Sequence, residues 1–235
     1  MVMTKRDAVR FVIIRTIGNF LVIFAVFGVF AILGPAIYYE VTFRIMQIRG
    51  VSFAVQANET QSTEEILQEN EVISPGFADI IAGPKEQVLI PIDTEFSIVI
   101  PKIGANAKII PNVDPSSTKT FLPALQKGVA HARGTFFPGQ PGNIYLFAHS
   151  TDNFWNVGRY NALFYLLKDL EKGDEVVVFS QNVRHNYVVS DSIVADPEDV
   201  TYINEASTGQ ELLILQTCWP PGTTWKRLLV FAEPK

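Results

Sequence analysis

The chain has 235 residues, of which 48% are hydrophobic and 18% are charged, and its formal net charge is −5. An acidic chain without a basic run is a poor binder of nucleic acid, so we expect no nucleic-acid partner. A single cysteine excludes an intrachain disulfide and a multi-cysteine zinc site, and three histidines leave little for a metal centre. We therefore expect neither a metal nor a cofactor.

The first element along the chain is an uncharged, apolar stretch at residues 16–39. As a helix it would be about 36 Å long, enough to cross a hydrocarbon core of about 30 Å. It is too long for the apolar part of a cleaved signal peptide. We predict a single transmembrane helix that stays attached to the protein.

The charges that flank this helix predict its orientation. Residues 1–15 carry four basic side chains, Lys5, Arg6, Arg10 and Arg15. Basic residues favour the cytoplasmic side, so residues 1–15 are predicted to be cytoplasmic and everything after residue 40 to be outside the cell membrane. Residues 40–87 follow as an acidic region, which we interpret as a solvated stalk with a short helix near residues 63–70.

From residue 88 to residue 235 the pattern is that of one mainly β domain. Short β-rich runs alternate with turn signals and predict strands at 96–100, 103–111, 143–149, 175–180, 185–194, 211–217 and 225–232. Only residues 116–127 and 159–170 have helical patterns. Seven or eight strands with two helices indicate a closed barrel or a sandwich with helices at its edge.

Cys218 is the candidate nucleophile of this domain. It ends the apolar strand that begins at Leu212, and Trp219-Pro220-Pro221 cannot continue the strand. A lone cysteine is often only a small buried hydrophobe. However, an unpaired thiol outside the membrane is open to oxidation, which favours a functional reason for keeping it.

A nucleophilic cysteine needs a base and positive charge nearby. His149 also ends an apolar strand, so two reactive side chains stand at equivalent positions. Arg227 begins the next strand after Cys218 and could return beside it across the turn at Pro220. Lys226 and Arg227 point to opposite sides of that strand, so only one can face the thiol. Arginine offers a fixed fork of donors for a developing oxyanion.

These motifs together resemble the sortases, membrane-anchored cysteine transpeptidases of bacteria. Leu215-Gln216-Thr217-Cys218 is similar to the family's Leu-x-Thr-Cys signature, and Ala148-His149 stands where the family usually has Gly-His. Arg227 falls where the family has an arginine after the cysteine. Ile98–Gly104 and Gly128–Gly134 resemble the first strand and the run into the histidine strand. Ile214 and Ala148 depart from the usual residues, which leaves the subfamily open.

The resemblance implies an eight-stranded β-barrel and a cysteine transpeptidase, a thiol-protease type of enzyme, with Cys218, His149 and Arg227 as catalytic residues. The thiol would cleave a sorting signal of the Leu-Pro-x-Thr-Gly kind and form a thioacyl enzyme. An amine on a cell-wall precursor or a pilin would then release the acyl group. Partners would be secreted surface proteins or pilins, and Thr217 and His131 would contact substrate.

Two alternatives stay open at this point. Water instead of an amine could resolve the thioester, which would make the protein a membrane-tethered cysteine endopeptidase. The domain could also be a non-catalytic extracellular binding module in which Cys218 only packs.

Overall fold

The structure of the chain is a computed structural model, which describes residues 5–55, 86–150, 164–204, 209–221 and 223–235. The helices are α1 (Lys5–Ile48), α2 (Thr118–Leu125) and α3 (Thr201–Asn204), with two 3-10 turns, η1 (Pro101–Ile103) and η2 (Tyr165–Asp169). The strands are β1 (Ser52–Val55), β2 (Glu86–Leu89), β3 (Phe96–Ile100), β4 (Ala105–Val113), β5 (Val129–Ala132), β6 (Asn143–Phe147), β7 (Glu175–Ser180), β8 (Val183–Ala195), β9 (Leu212–Trp219) and β10 (Lys226–Pro234).

Eight of these strands form a closed barrel in the order β10-β8-β7-β3-β4-β5-β6-β9. The β4–β5 and β6–β9 pairs are parallel, and the other neighbours are antiparallel. The core fills the barrel with β-branched and leucine side chains such as Ile98, Val230 and Leu215, all 0% exposed. The implied eight-stranded barrel is therefore confirmed.

The side chains of a strand alternate between the two sides of the barrel wall. We call the side that carries Leu213 and Leu215 the inner face, and the side that carries Gln216 and Cys218 the outer face. Leu213 and Leu215 are 0% exposed, whereas Gln216 and Cys218 are partly accessible. The outer face is thus where side chains of these strands can meet a ligand.

The short helical elements differ in part from the prediction. Helix α2 lies within the predicted 116–127. Of the predicted helix at 159–170, the described part is the 3-10 turn η2, which buries Leu167, and residues 151–163 lie outside the described residues. Strand β5 was not predicted from the sequence, because its four residues, Val-Ala-His-Ala, are too few to show the alternation of apolar and polar side chains that marks a strand.

Helix α1 is longer than the predicted 16–39 span, because it runs unbroken for 44 residues. Its segment Lys5–Phe30 is long and apolar enough to cross a membrane, and no part of that apolar window is buried against the protein. One such helix near the N-terminus suggests a single-pass anchor.

The described parts of the region predicted as a stalk, 40–55 and 86–87, are mostly exposed or half-buried but contact the barrel in places. Strand β1 pairs in parallel with β2, and Val55 and Leu89 pack against a buried cluster of Val99, Val177 and Phe179. Burial of apolar side chains attaches both strands to the barrel. The predicted helix at 63–70 lies outside the described residues.

Candidate active site

The thiol of Cys218 lies on the outer face, near the end of β9. It is half-buried and has no disulfide partner. The strand ends one residue later at Trp219, since Pro220 has no N–H to donate to the ladder. The thiol therefore sits where a buried strand reaches the surface, as the sequence predicted.

Arg227 is the direct neighbour of Cys218 across the antiparallel β9–β10 pair. Residues directly opposite each other point to the same side, with Cβ atoms about 5 Å apart. The Arg227 guanidinium donates from Nη1 to the carbonyl oxygens of Thr224 and Lys226, both at 3.1 Å. Lys226 instead pairs with Asp196 at 2.5 Å, so the guanidinium is the cation that shares the side of the thiol.

His149 follows β6, the parallel neighbour of β9 on its other side. Phe147 is in register with Gln216, and the Ala148 N–H donates to the Gln216 carbonyl at 3.1 Å. Continued by two residues, this register sets His149 beside Cys218 on the outer face. The imidazole is half-buried. The three predicted catalytic residues thus come from three adjacent strands at one end of the barrel.

Thr217, predicted to contact substrate, does not lie on the outer face. It is 2% exposed, and its hydroxyl donates to the Ala148 carbonyl at 3.1 Å. Because it alternates with Cys218, it points to the inner face. Thr217 ties β6 to β9 immediately before His149 and Cys218 and so holds their strands together, and its contact with substrate stays a prediction.

His131, the other predicted substrate contact, is also an inner-face residue. It is in register with Leu146 and is 0% exposed. Its Nδ1 accepts the Asn112 N–H at 3.3 Å, so its Nε2 carries the proton and donates to the Phe136 carbonyl at 2.9 Å. Burial lowers the pKa of His131 despite the bond to Phe136. The side chain is a buried group whose two ring nitrogens both have hydrogen-bond partners, so the structure does not place it on the accessible face, and its contact with substrate stays a prediction.

Two outer-face residues were missed by the sequence reasoning. The Tyr145 hydroxyl donates to Gln216 Oε1 at 3.0 Å, and Tyr145 is in register with Ile214, so both side chains lie on the side of Cys218. Burial raises the pKa of the Tyr145 hydroxyl, although the charge of Arg227 opposes the shift. Counting back by two from Cys218 gives Gln216, and counting back by four from His149 gives Tyr145, so the alternation along each strand would have found both residues.

The far end of this outer face is covered by α3. The ring of Tyr202 lies 5.2 Å from that of Phe231, and Asn143 donates from Nδ2 to the Tyr202 carbonyl at 3.2 Å. This cover explains why Ile214, on the outer face, is 0% exposed. The accessible part of the face therefore begins at Gln216 and ends at Cys218 and Arg227.

A thiol, an imidazole and a guanidinium at neighbouring strand ends are the kinds of group that a cysteine-centred acyl-transfer site needs. A family model described as the sortase domain matches residues 98–235, more than half of the chain and nearly the whole barrel. The chain belongs to the sortase family.

Individual sortases resemble the chain at a moderate level. Sortase D of Bacillus subtilis (strain 168) is 28% identical over 137 residues, which are 57% of this chain and 60% of that protein. The match thus spans less than two thirds of that relative. Among solved structures, sortase C-1 from Actinomyces oris is 31% identical with a TM-score of 0.51, over 61% of this chain and 76% of that one. Sortase C from Clostridium perfringens, solved with the C-terminal cell wall sorting motif, is 26% identical with a TM-score of 0.50, over 59% and 69%.

Proposed function

We propose that this protein is a membrane-anchored cysteine transpeptidase in which Cys218 is the nucleophile, His149 the proton carrier and Arg227 the oxyanion donor. The single observation that carries the proposal is the register of β9, in which Arg227 faces Cys218 from one neighbouring strand and His149 follows the other. Three chemically complementary groups on one accessible surface are expected of a site and not of a packed core.

The reaction has two half-steps that share one thioester. The Cys218 thiolate attacks a peptide carbonyl carbon, and the Arg227 guanidinium donates to the oxyanion that forms. The C–N bond breaks as His149 gives its proton to the leaving amine. An incoming amine then passes a proton to His149, attacks the thioester and forms a new amide, and the sulfur leaves as thiolate.

The floor of the accessible face supports a peptide substrate. Because Gln216 Oε1 accepts the Tyr145 hydroxyl, the orientation of the Gln216 amide is fixed. Its NH₂ group can then donate to a carbonyl of an extended peptide. We assign to this floor the residues of a sorting signal that precede the cleaved bond. A relative in complex with a cell wall sorting motif supports this substrate class.

The anchor supports a substrate that is tethered to the same membrane. With residues 1–15 in the cytoplasm, the barrel lies outside, where secreted surface proteins or pilins and a cell-wall or pilin amine are available. Tethering enzyme and substrate to one surface raises their effective concentration. We therefore place the protein as a single-pass membrane enzyme with an extracytoplasmic barrel.

The test uses the full chain in detergent micelles with a library of C-terminal sorting peptides of the Leu-Pro-x-Thr-Gly kind. Peptides are supplied with and without amine acceptors, and thioacyl enzyme and products are detected by mass. We expect a thioacyl adduct on Cys218 and a ligated product only with the amine, and neither product with Cys218→Ala. Hydrolysis without ligation would show that the protein is an endopeptidase. If Cys218 forms no adduct and no peptide is processed, the proposal that the protein is an enzyme is refuted.

A further inference from the structure

The last turns of α1 are not a free tether, because they contact the barrel. The uncharged stretch ends at residue 39, and the helix continues from Glu40 to Ile48, about 13 Å further at 1.5 Å per residue. Within these turns Phe43 is only 6% exposed and belongs to the same apolar cluster as the barrel core. Burial of this side chain removes apolar surface from water and so stabilises the contact.

A network of four charges of alternating sign lies next to Phe43, between α1 and η2. Lys168 Nζ lies 2.9 Å from Glu40 Oε2 and 2.8 Å from Asp169 Oδ2. Arg44 lies 2.9 Å from Glu40 Oε1 and 3.4 Å from Asp169 Oδ1. Each cation therefore sits between one carboxylate of α1 and one of η2. We call Glu40, Phe43, Arg44, Lys168 and Asp169 the anchor contact.

The η2 side of the anchor contact is more desolvated than ordinary surface pairs are, whereas the side chains of Arg44 and Glu40 on α1 are 53% and 30% exposed. The side chains of Lys168 and Asp169 are 19% and 15% exposed. Burial by itself would lower the pKa of Lys168, but hydrogen bonds to Asp169 and Glu40 raise it. Hydrogen bonding to Lys168 in turn lowers the pKa of Glu40. A linked network of this kind is stabilised more than isolated exposed pairs are.

The barrel side of the anchor contact is rigid. Turn η2 is built into the core through Phe164 and Leu167, which are 0% and 1% exposed. A helix held against η2 is therefore held against the barrel core.

We propose that the anchor contact docks α1 on η2 and fixes the height and orientation of the barrel above the membrane, so that the outer face around Cys218 is presented to substrates tethered in the same bilayer. Glu40, Phe43, Arg44, Lys168 and Asp169 act as positioning residues and not as catalytic ones. The docking stands on the contacts alone, whereas its consequence for catalysis rests on the proposed transpeptidase activity.

The docking is tested by energy transfer on the full chain in vesicles. A donor dye is attached to Val183→Cys, an exposed position on the β7–β8 hairpin, in a Cys218→Ala background, and acceptor lipids mark the bilayer surface. We expect a narrow distribution of transfer efficiency. Glu40→Lys, which changes no residue of the barrel, should shift and broaden it. The charge swap of the whole network, Glu40→Lys and Arg44→Glu with Lys168→Glu and Asp169→Arg, keeps opposite charges paired and should restore it. Ile48→Lys, at an 86% exposed position of α1, is the matched control and should leave it unchanged.

The consequence is tested with Cys218 intact by comparing a vesicle-tethered sorting peptide with the same peptide in solution. Glu40→Lys should lower transfer of the tethered peptide about tenfold and leave the soluble peptide within about twofold, with recovery in the swap. An unchanged transfer-efficiency distribution in Glu40→Lys would overturn the docking. A distribution that changes as expected, with no peptide processed by the unmodified chain, would support the docking and refute the proposed function instead.

Discussion

The inner and outer faces of the barrel wall around β6 and β9 carry the same kinds of side chain in different states. On the inner face His131 and Thr217 are almost fully buried, and protein groups satisfy their hydrogen bonds. On the outer face His149 and Cys218 are half-buried at the ends of their strands. Residue type alone therefore does not mark a site; accessibility and the neighbouring strands do.

The largest effect should come from the same substitution made on the two faces. His149→Gln should lower the rate of thioacyl formation by about 10²–10⁴-fold, because the leaving amine loses its proton donor, with little change in thermal stability. His131→Gln should lower the free energy of unfolding by about 1–3 kcal/mol and retain the rate per folded molecule. Single-turnover mass detection and thermal unfolding measure both. If His131→Gln is stable but inactive, the role of proton carrier would have to be assigned to His131 on the inner face.

Arg227→Lys should have the next largest effect, because it keeps the charge but loses the fork of donors. We expect transfer to fall by about 10²-fold, as for loss of one oxyanion donor, mainly in kcat. Lys226→Arg is the matched control, since Lys226 pairs with Asp196 on the other side of β10. Near-normal kcat in Arg227→Lys would place the guanidinium outside the reaction.

Gln216→Leu should have a smaller effect of a different kind. It removes the amide donor from the accessible floor and should raise KM about tenfold with kcat nearly unchanged, as for one lost hydrogen bond to substrate. Tyr145→Phe removes only the group that orients this amide and should raise KM less. Thr217→Val, on the inner face, is the control and should change stability but not KM. An unchanged KM in Gln216→Leu would mean that substrate does not cross this floor.

The strand pattern predicted a closed barrel or a sandwich, and the resemblance to sortases selected the barrel. Local marks of strand ends predicted where Cys218, His149 and Arg227 lie, while their catalytic roles stay predictions. Pro220 stops β9 directly after Cys218, and apolar runs mark β6 and β9. The face on which each side chain lies was harder to predict. Ile214 is buried on the outer face because α3 covers it, so Leu212–Leu215 shows no alternation between apolar and polar residues. Without that alternation the sequence does not show on which side of the barrel wall Thr217 lies.

The docking of α1 could not be predicted for another physical reason. Glu40 and Lys168 are 128 positions apart, and a pair of opposite charges at that separation has no local signature. Likewise, Val55 packs against the barrel from the region 40–87, whose acidic composition indicated a solvated stalk. Composition describes the average of a segment, whereas a few apolar side chains at its ends decide whether it docks.

The smallest expected effect is a pH dependence of the free energy of unfolding that arises from the inner-face histidine. Burial holds the pKa of His131 below the value of about 6.5 that it has in the unfolded chain. As pH falls through about 6.5, the unfolded state binds a proton at His131 that the folded state does not bind. The free energy of unfolding therefore decreases by up to about 1.4 kcal/mol per pH unit. The decrease ends when pH reaches the lower pKa of His131 in the folded state. Above about pH 7.5 both states are neutral at this position and the contribution is constant. Urea unfolding of the full chain in micelles between pH 8 and pH 5 measures this slope, which His131→Gln should reduce. If the slope of His131→Gln equals that of the unmodified chain, His131 has the same pKa in the folded and the unfolded state. The distinction between the two faces would then fail for this residue.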